Sequence, residues 1–107
     1  MPHYRKRVDA NQAAIVQAMR ALGWYVFDAS SVGRGFPDLI AAKGGAIVLV
    51  EVKDGSKPKS EQALTPAEAK VHRDFAAAGV PVLVTRSVDD WLSTPAQVAA
   101  IRDEMQQ

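Results

Sequence analysis

Apolar residues at Ile15, Ala18, Met19 and Leu22 recur at the spacing that places them on one face of a helix. Asp9 heads this run, Gln12 follows in a capping arrangement and Gly23 supplies a stop, so the pattern predicts a helix from about Ala10 to Leu22. Trp24-Tyr25-Val26-Phe27 is then rich in strand formers. Between Ser30 and Phe36, Gly33 and Gly35 flank Arg34 in what reads as a mobile loop. Pro37, tolerated at the start of a strand, precedes a second strand from about Asp38 to Ala42. Gly44-Gly45 separates that strand from the run Ala46 to Lys53, which is the signal of a tight hairpin. Asp54 to Gln62 is polar and reads as a loop. Thr65-Pro66-Ala67-Glu68 supplies an N-cap, a proline at the first helical position and an acid at N3, so a second helix follows and ends near Ala78 and Gly79. Pro81 to Thr85 is a short apolar strand, Ser87 can cap a turn through Asp89, Asp90 and Trp91, and Thr94-Pro95 opens a last helix. The order helix, three strands, helix, strand, helix is that of an α/β fold. Val48, Val50 and Val52 alternate with Ile47 and Leu49, so a mixed sheet covered by helices on both faces is expected.

Length and composition narrow this only a little. The 107 residues, 48% hydrophobic and 23% charged, have room for one modest core and no second catalytic domain. The chain divides into a basic arm (residues 1–8), a main domain (9–92) and a C-terminal helix packed on or extending it (93–107). The absence of cysteine excludes disulfides, thiolate metal sites and cysteine nucleophiles, and suits a reducing compartment, with the cytoplasm as the default. No apolar signal core follows the basic start, and the longest aliphatic run, Ala46 to Val50, is far too short to cross a bilayer. Neither export nor membrane insertion is expected. A formal charge of +1 offers no global argument for nucleic acid, so any such case has to come from local features.

The hairpin provides one. With Gly44 and Gly45 at the centre of the turn, Lys43 faces Ala46, and continuing the register brings Asp38 opposite Glu51. Opposed side chains in an antiparallel pair have Cβ atoms about 4.5–5.5 Å apart, and two like charges there are destabilising. A divalent cation removes the conflict, because carboxylate oxygens at that separation can share one hard metal ion while water completes its shell. Side chains alternate along a strand, so Lys53 projects on the same face as Glu51 and can approach the metal, its water or a phosphate. The plainer alternative makes Asp38 and Glu51 strand-end surface acids with Lys53 as their salt-bridge partner. Charged residues ending a strongly apolar strand, together with Gly35-Phe36-Pro37-Asp38-Leu39, turn the balance toward a site.

Several segments together resemble the virus-type replication-repair nuclease family, VRR-NUC, a branch of the PD-(D/E)xK superfamily with stand-alone members in phages and bacteria. They are Asp9-Ala10-Asn11-Gln12, Gly33 to Ile40, Val50-Glu51-Val52-Lys53-Asp54-Gly55, and Leu64-Thr65-Pro66 with His72, and the likeness spans Asp9 to Ser87. The resemblance implies a restriction-endonuclease-like core and hydrolysis of DNA phosphodiester bonds with magnesium, or manganese in its place. It further implies Asp38, Glu51 and the Val52 carbonyl as metal ligands, Lys53 assisting the attacking water, and products with 5′-phosphate and 3′-hydroxyl ends. Two departures stand out. Many relatives carry a helix-one glutamate where this chain has Asn11-Gln12, and many carry a helix-two glutamine where Ala69 stands.

Around this centre the roles stay open. Gln12 can bind a metal or position its water through the amide oxygen, or it can simply complete the helix cap. Arg34 can contact a phosphate near the scissile one or be a solvated loop cation. Lys57 and Lys59, like Arg5, Lys6 and Arg7, can follow the DNA backbone or face solvent. His72 reads as structural, His3 as part of the arm, and the aromatic residues as core rather than as base-stacking surfaces. The expected function is a metal-dependent DNA endonuclease, selective for branched, flap or four-way DNA; resolving four-way junctions requires two sites and hence a homodimer. A non-catalytic DNA-binding or assembly module on the same fold is the alternative.

Overall fold

Strands form where β-branched residues cluster and helices where the spacing is helical, in the order read from the sequence. The computed structural model describes residues 10–106. The expected basic arm, with His3, Arg5, Lys6 and Arg7, and the Asp9 cap lie outside the described residues. Helix α1 spans Gln12–Ala21, followed by strands β1 (Tyr25–Asp28), β2 (Leu39–Lys43) and β3 (Ala46–Val52). Next come a short helix α2 (Lys59–Gln62), α3 (Pro66–Ala77), strand β4 (Val82–Thr85), and helices α4 (Val88–Leu92) and α5 (Pro95–Met105). The segment read as a wholly irregular polar loop after Lys53 therefore contains α2. Pro58 precedes its first residue, and the Gln62 side-chain amide donates to the Lys57 carbonyl at 2.6 Å and so closes the turn.

The sheet runs β1-β2-β3-β4, with antiparallel pairing up to β3 and parallel pairing between β3 and β4. The hairpin register is the one expected, from Lys43 opposite Ala46 to Leu39 opposite Val50. Gly44 and Gly45 both adopt positive φ, 59° and 85°, as that tight turn requires. Helix α3 carries the chain from β3 to the parallel β4, and Thr65 and Glu68 form the predicted capping box at its start.

One face of the sheet presents Val26, Leu39, Ala41, Val50 and Val52 to Ile15 and Met19 of α1 and to Trp24 and Trp91, forming the core. The two indoles meet edge to face, with centroids 5.3 Å apart. Both of their N–H groups donate to the Oε1 of buried Gln97 on α5, at 2.8 Å from Trp24 and 3.2 Å from Trp91. Replacing Gln97 by leucine leaves two buried donors without an acceptor, and the expected loss is about 2–4 kcal/mol in urea denaturation. A loss below about 0.5 kcal/mol would show that this node is dispensable.

The other face is covered by α3 at one end. Glu51 and His72 make contact across it, which places α3 over the Glu51 end of β3. At the far end Tyr25, Phe27 and Ile47 remain exposed, Tyr25 and Ile47 both pairing with Ala42 across neighbouring strands. Alternation along β3 correctly indicated two apolar faces, but it could not say how far a single twelve-residue helix would extend over the second.

Candidate active site

The strand end that β3 shares with β4 collects the charged groups. Asp38 lies one residue before β2, where Pro37 ends the loop and the Asp38 carbonyl accepts the Ala29 N–H at 2.8 Å. The β2–β3 ladder stops at Leu39 and Val50. The Asp38 side chain consequently does not simply face Glu51 across a continuing ladder; its Oδ2 accepts the Val52 backbone N–H at 2.7 Å. Asp38 is 3% exposed and Glu51 0%. Two carboxylates are thus withdrawn from water at the end of an apolar strand, a costly arrangement that requires compensating partners.

The compensation comes partly from α3. The His72 Nε2 lies 3.2 Å from the Glu51 Oε1, and the Lys53 Nζ donates to the Glu68 Oε1 at 2.8 Å. That same Glu68 oxygen accepts the Thr65 N–H at 2.9 Å, while the Glu68 N–H donates to the Thr65 hydroxyl. Glu68 therefore caps its own helix and pairs with Lys53. In the sequence it read only as the capping acid, and His72 read as structural. The signal that could have joined them is their separation by one helical turn, which puts both on one face. Ala69 offers no polar group here, but Glu68 beside it does.

Helix α1 contributes two side chains with different tasks. Asn11 makes no capping bond; its amide donates to the Lys53 carbonyl at 3.1 Å and the Arg86 carbonyl at 2.8 Å, tying the ends of β3 and β4 together. Gln12 is 4% exposed, and its Oε1 has no hydrogen-bond partner among the described residues. The rest of its amide lies beside Asp28, whose carboxyl is held below the usual range chiefly by the Ser30 hydroxyl and N–H, with Gln12 and Arg20 adding to the effect.

The structure brings Asp38, Glu51, Val52 and Lys53 together at the end of β3. Lys57 sits half-buried in the following loop, and Lys59 is exposed at the start of α2. Arg34 is exposed on the loop before Asp38 in the left-handed region, with φ of 58° between Gly33 at 73° and Gly35 at 81°. Among the described residues, no group of three or more His, Cys, Asp or Glu side chains forms a ready-made metal cage. No described helix is long and apolar enough to cross a membrane.

A mixed sheet flanked by helices, with acids and a lysine drawn to the end of a central strand, is the architecture of a nuclease-type domain. A solved structure described as a VRR_NUC domain is similar to this chain, with 31% sequence identity and a TM-score of 0.57 over 78% of this chain and 95% of the solved one. The chain belongs to the VRR-NUC family. No protein-family model and no curated protein matches it.

Proposed function

We propose that this nuclease-type domain is a magnesium-dependent DNA endonuclease, with manganese able to substitute. The observation that carries the reading is the pair of buried carboxylates on Asp38 and Glu51, joined through the Val52 backbone at the strand end that carries Lys53. The donor set suits a hard divalent ion: two carboxylates and the Val52 carbonyl, all oxygen ligands. Asp38, Glu51 and Val52 would hold the ion, with water completing its shell. When bound, the ion supplies Lewis-acid polarisation of a phosphate oxygen and acidifies water.

The chain's own groups do the remaining work. Lys53 orients the attacking water and offsets charge developing on the phosphate. Water attacks phosphorus as the P–O3′ bond breaks, the proton passes to solvent, and 5′-phosphate and 3′-hydroxyl ends result, as the family resemblance implies. Arg34 holds a neighbouring phosphate, and its left-handed backbone supports this role: a non-glycine residue there costs about 1–2 kcal/mol, and such strain concentrates at functional positions. Lys57 and Lys59 extend the contact along the DNA backbone.

The substrate in this reading is branched, flap or four-way DNA, cut by a homodimer in the cytoplasm. The exposed row of Tyr25 and Ile47, with Phe27 beside it, supplies an apolar surface for pairing two copies. The test is cleavage of labelled single-stranded, duplex, flap and four-way DNA with magnesium, manganese or EDTA, alongside light scattering for mass. Metal-dependent cutting greatest on branched substrates by a dimer is expected. Tight DNA binding without cutting in either metal would instead identify a non-catalytic module.

A further inference from the structure

Glu51 and Lys53 stand two residues apart on an extended strand end, about 6.6 Å by strand rise. Glu68 and His72 are four residues apart on α3, about 6 Å by helix rise. The contacts run crosswise, Lys53 to Glu68 and Glu51 to His72, so α3 lies antiparallel to this strand end with nearly matched spacing. Both contacts can form at once without stretching either side chain.

The burial of α3 points the same way. Glu68 is its one buried residue, at 4% exposure, where a helix docked for its apolar packing would bury a hydrophobic side chain. The capping box fixes the Glu68 carboxylate against the helix backbone, so the partner offered to Lys53 is rigid. A lysine has four rotatable side-chain bonds and is poorly positioned without such a partner. Its ammonium has three donors, and the bond to Glu68 leaves others for water or phosphate.

We propose that Glu68, anchored by its own capping box, is the positioning residue for Lys53, with His72 serving Glu51 one turn further along α3. The kinetic consequence rests on the nuclease reading above; the structural one does not. In Glu68→Gln the cap acceptor remains and the charge that holds Lys53 is lost.

The experiment compares the native chain, Glu68→Gln and Thr65→Ala in steady-state cleavage of labelled branched DNA with magnesium, in thermal unfolding, and in reductive methylation of lysines read by peptide mass spectrometry. For Glu68→Gln, kcat should fall about 100-fold with KM within about twofold, because a displaced catalytic group acts on the chemical step. Methylation of Lys53 should rise several-fold relative to Lys57 and Lys59. Thr65→Ala removes the hydroxyl that accepts the Glu68 N–H but keeps the backbone N–H that holds the Glu68 carboxylate, so it should lower the unfolding temperature yet keep near-native kcat and a protected Lys53. If Glu68→Gln does not fold, Glu68→Asp carries the same comparison, since it retains the charge but retracts it by one methylene. Native kcat in the Glu68 variant, native protection of its Lys53, or an equal loss of kcat in Thr65→Ala would each overturn the proposal. Should the native chain not cut at all, the nuclease reading fails, and the methylation comparison alone decides whether Glu68 holds Lys53.

Discussion

In Glu51→Gln, metal-dependent cleavage is expected to fall by about 10²–10³-fold while the fold is kept or strengthened, because the two effects have different origins. Glutamine matches the size of glutamate, and its Oε1 can still accept from the His72 Nε2. What disappears is a formal charge on a side chain that is 0% exposed. Removing the charge relieves its desolvation cost, and that offsets the weaker bond to His72. The same loss removes one of the two carboxylates proposed to hold magnesium. Thermal unfolding in EDTA should therefore show the variant at or above the native temperature. Saturating manganese should raise the native protein, by about 2.7 kcal/mol at one hundred times the dissociation constant, and leave the variant where it was. An equal manganese shift in both proteins would remove Glu51 from the proposed ligand set.

The second large effect is expected at a residue with no chemistry. Gly35 has a φ of 81°, and a Cβ placed there would stand 2.4 Å from the Ala67 carbonyl carbon and oxygen and 2.8 Å from the Glu68 nitrogen. Those neighbours are backbone atoms in the first turn of α3, so the clash can be relieved only by moving the loop or the helix. Gly35→Ala should lose about 2–5 kcal/mol, combining left-handed strain with overpacking. Because the displaced turn carries Glu68, the surviving folded protein should also cut more slowly. Gly44 supplies the comparison: its φ is also positive, at 59°, but a Cβ there would have nothing within 4 Å. Gly44→Ala should show the cost of strain alone, and equal losses in the two variants, by chemical denaturation, would contradict the proposed close packing.

These expectations divide between what local sequence carries and what it cannot. The hairpin register followed from Gly44-Gly45, because a two-residue turn fixes which positions oppose one another, and the ladder obeys it as far as Leu39 and Val50. The capping box at Thr65 and Glu68 and the N-caps at Ser87 and Thr94 were legible for the same reason: each is a bond between residues three apart in the chain. Asp38, Glu51 and Lys53 could be brought to one place by the alternation of a single hairpin. The contact of Asp38 with the Val52 N–H could not, since it depends on how the chain bends out of the ladder at Pro37.

The sequence by itself thus determined the element order apart from α2, the strand register and the placing of Asp38, Glu51 and Lys53 at one strand end, all consequences of periodicity and short-range bonding. Tertiary structure alone decided that Glu68 and His72 reach across to Lys53 and Glu51, that Asn11 ties together the carbonyls of Lys53 and Arg86, and that Gln97 receives both buried indoles. Each of these bonds joins separate segments, from six to seventy-five residues apart. Their partners are selected by the way helices dock on the sheet, which depends on the packing of the whole core and not on the pattern of any one segment.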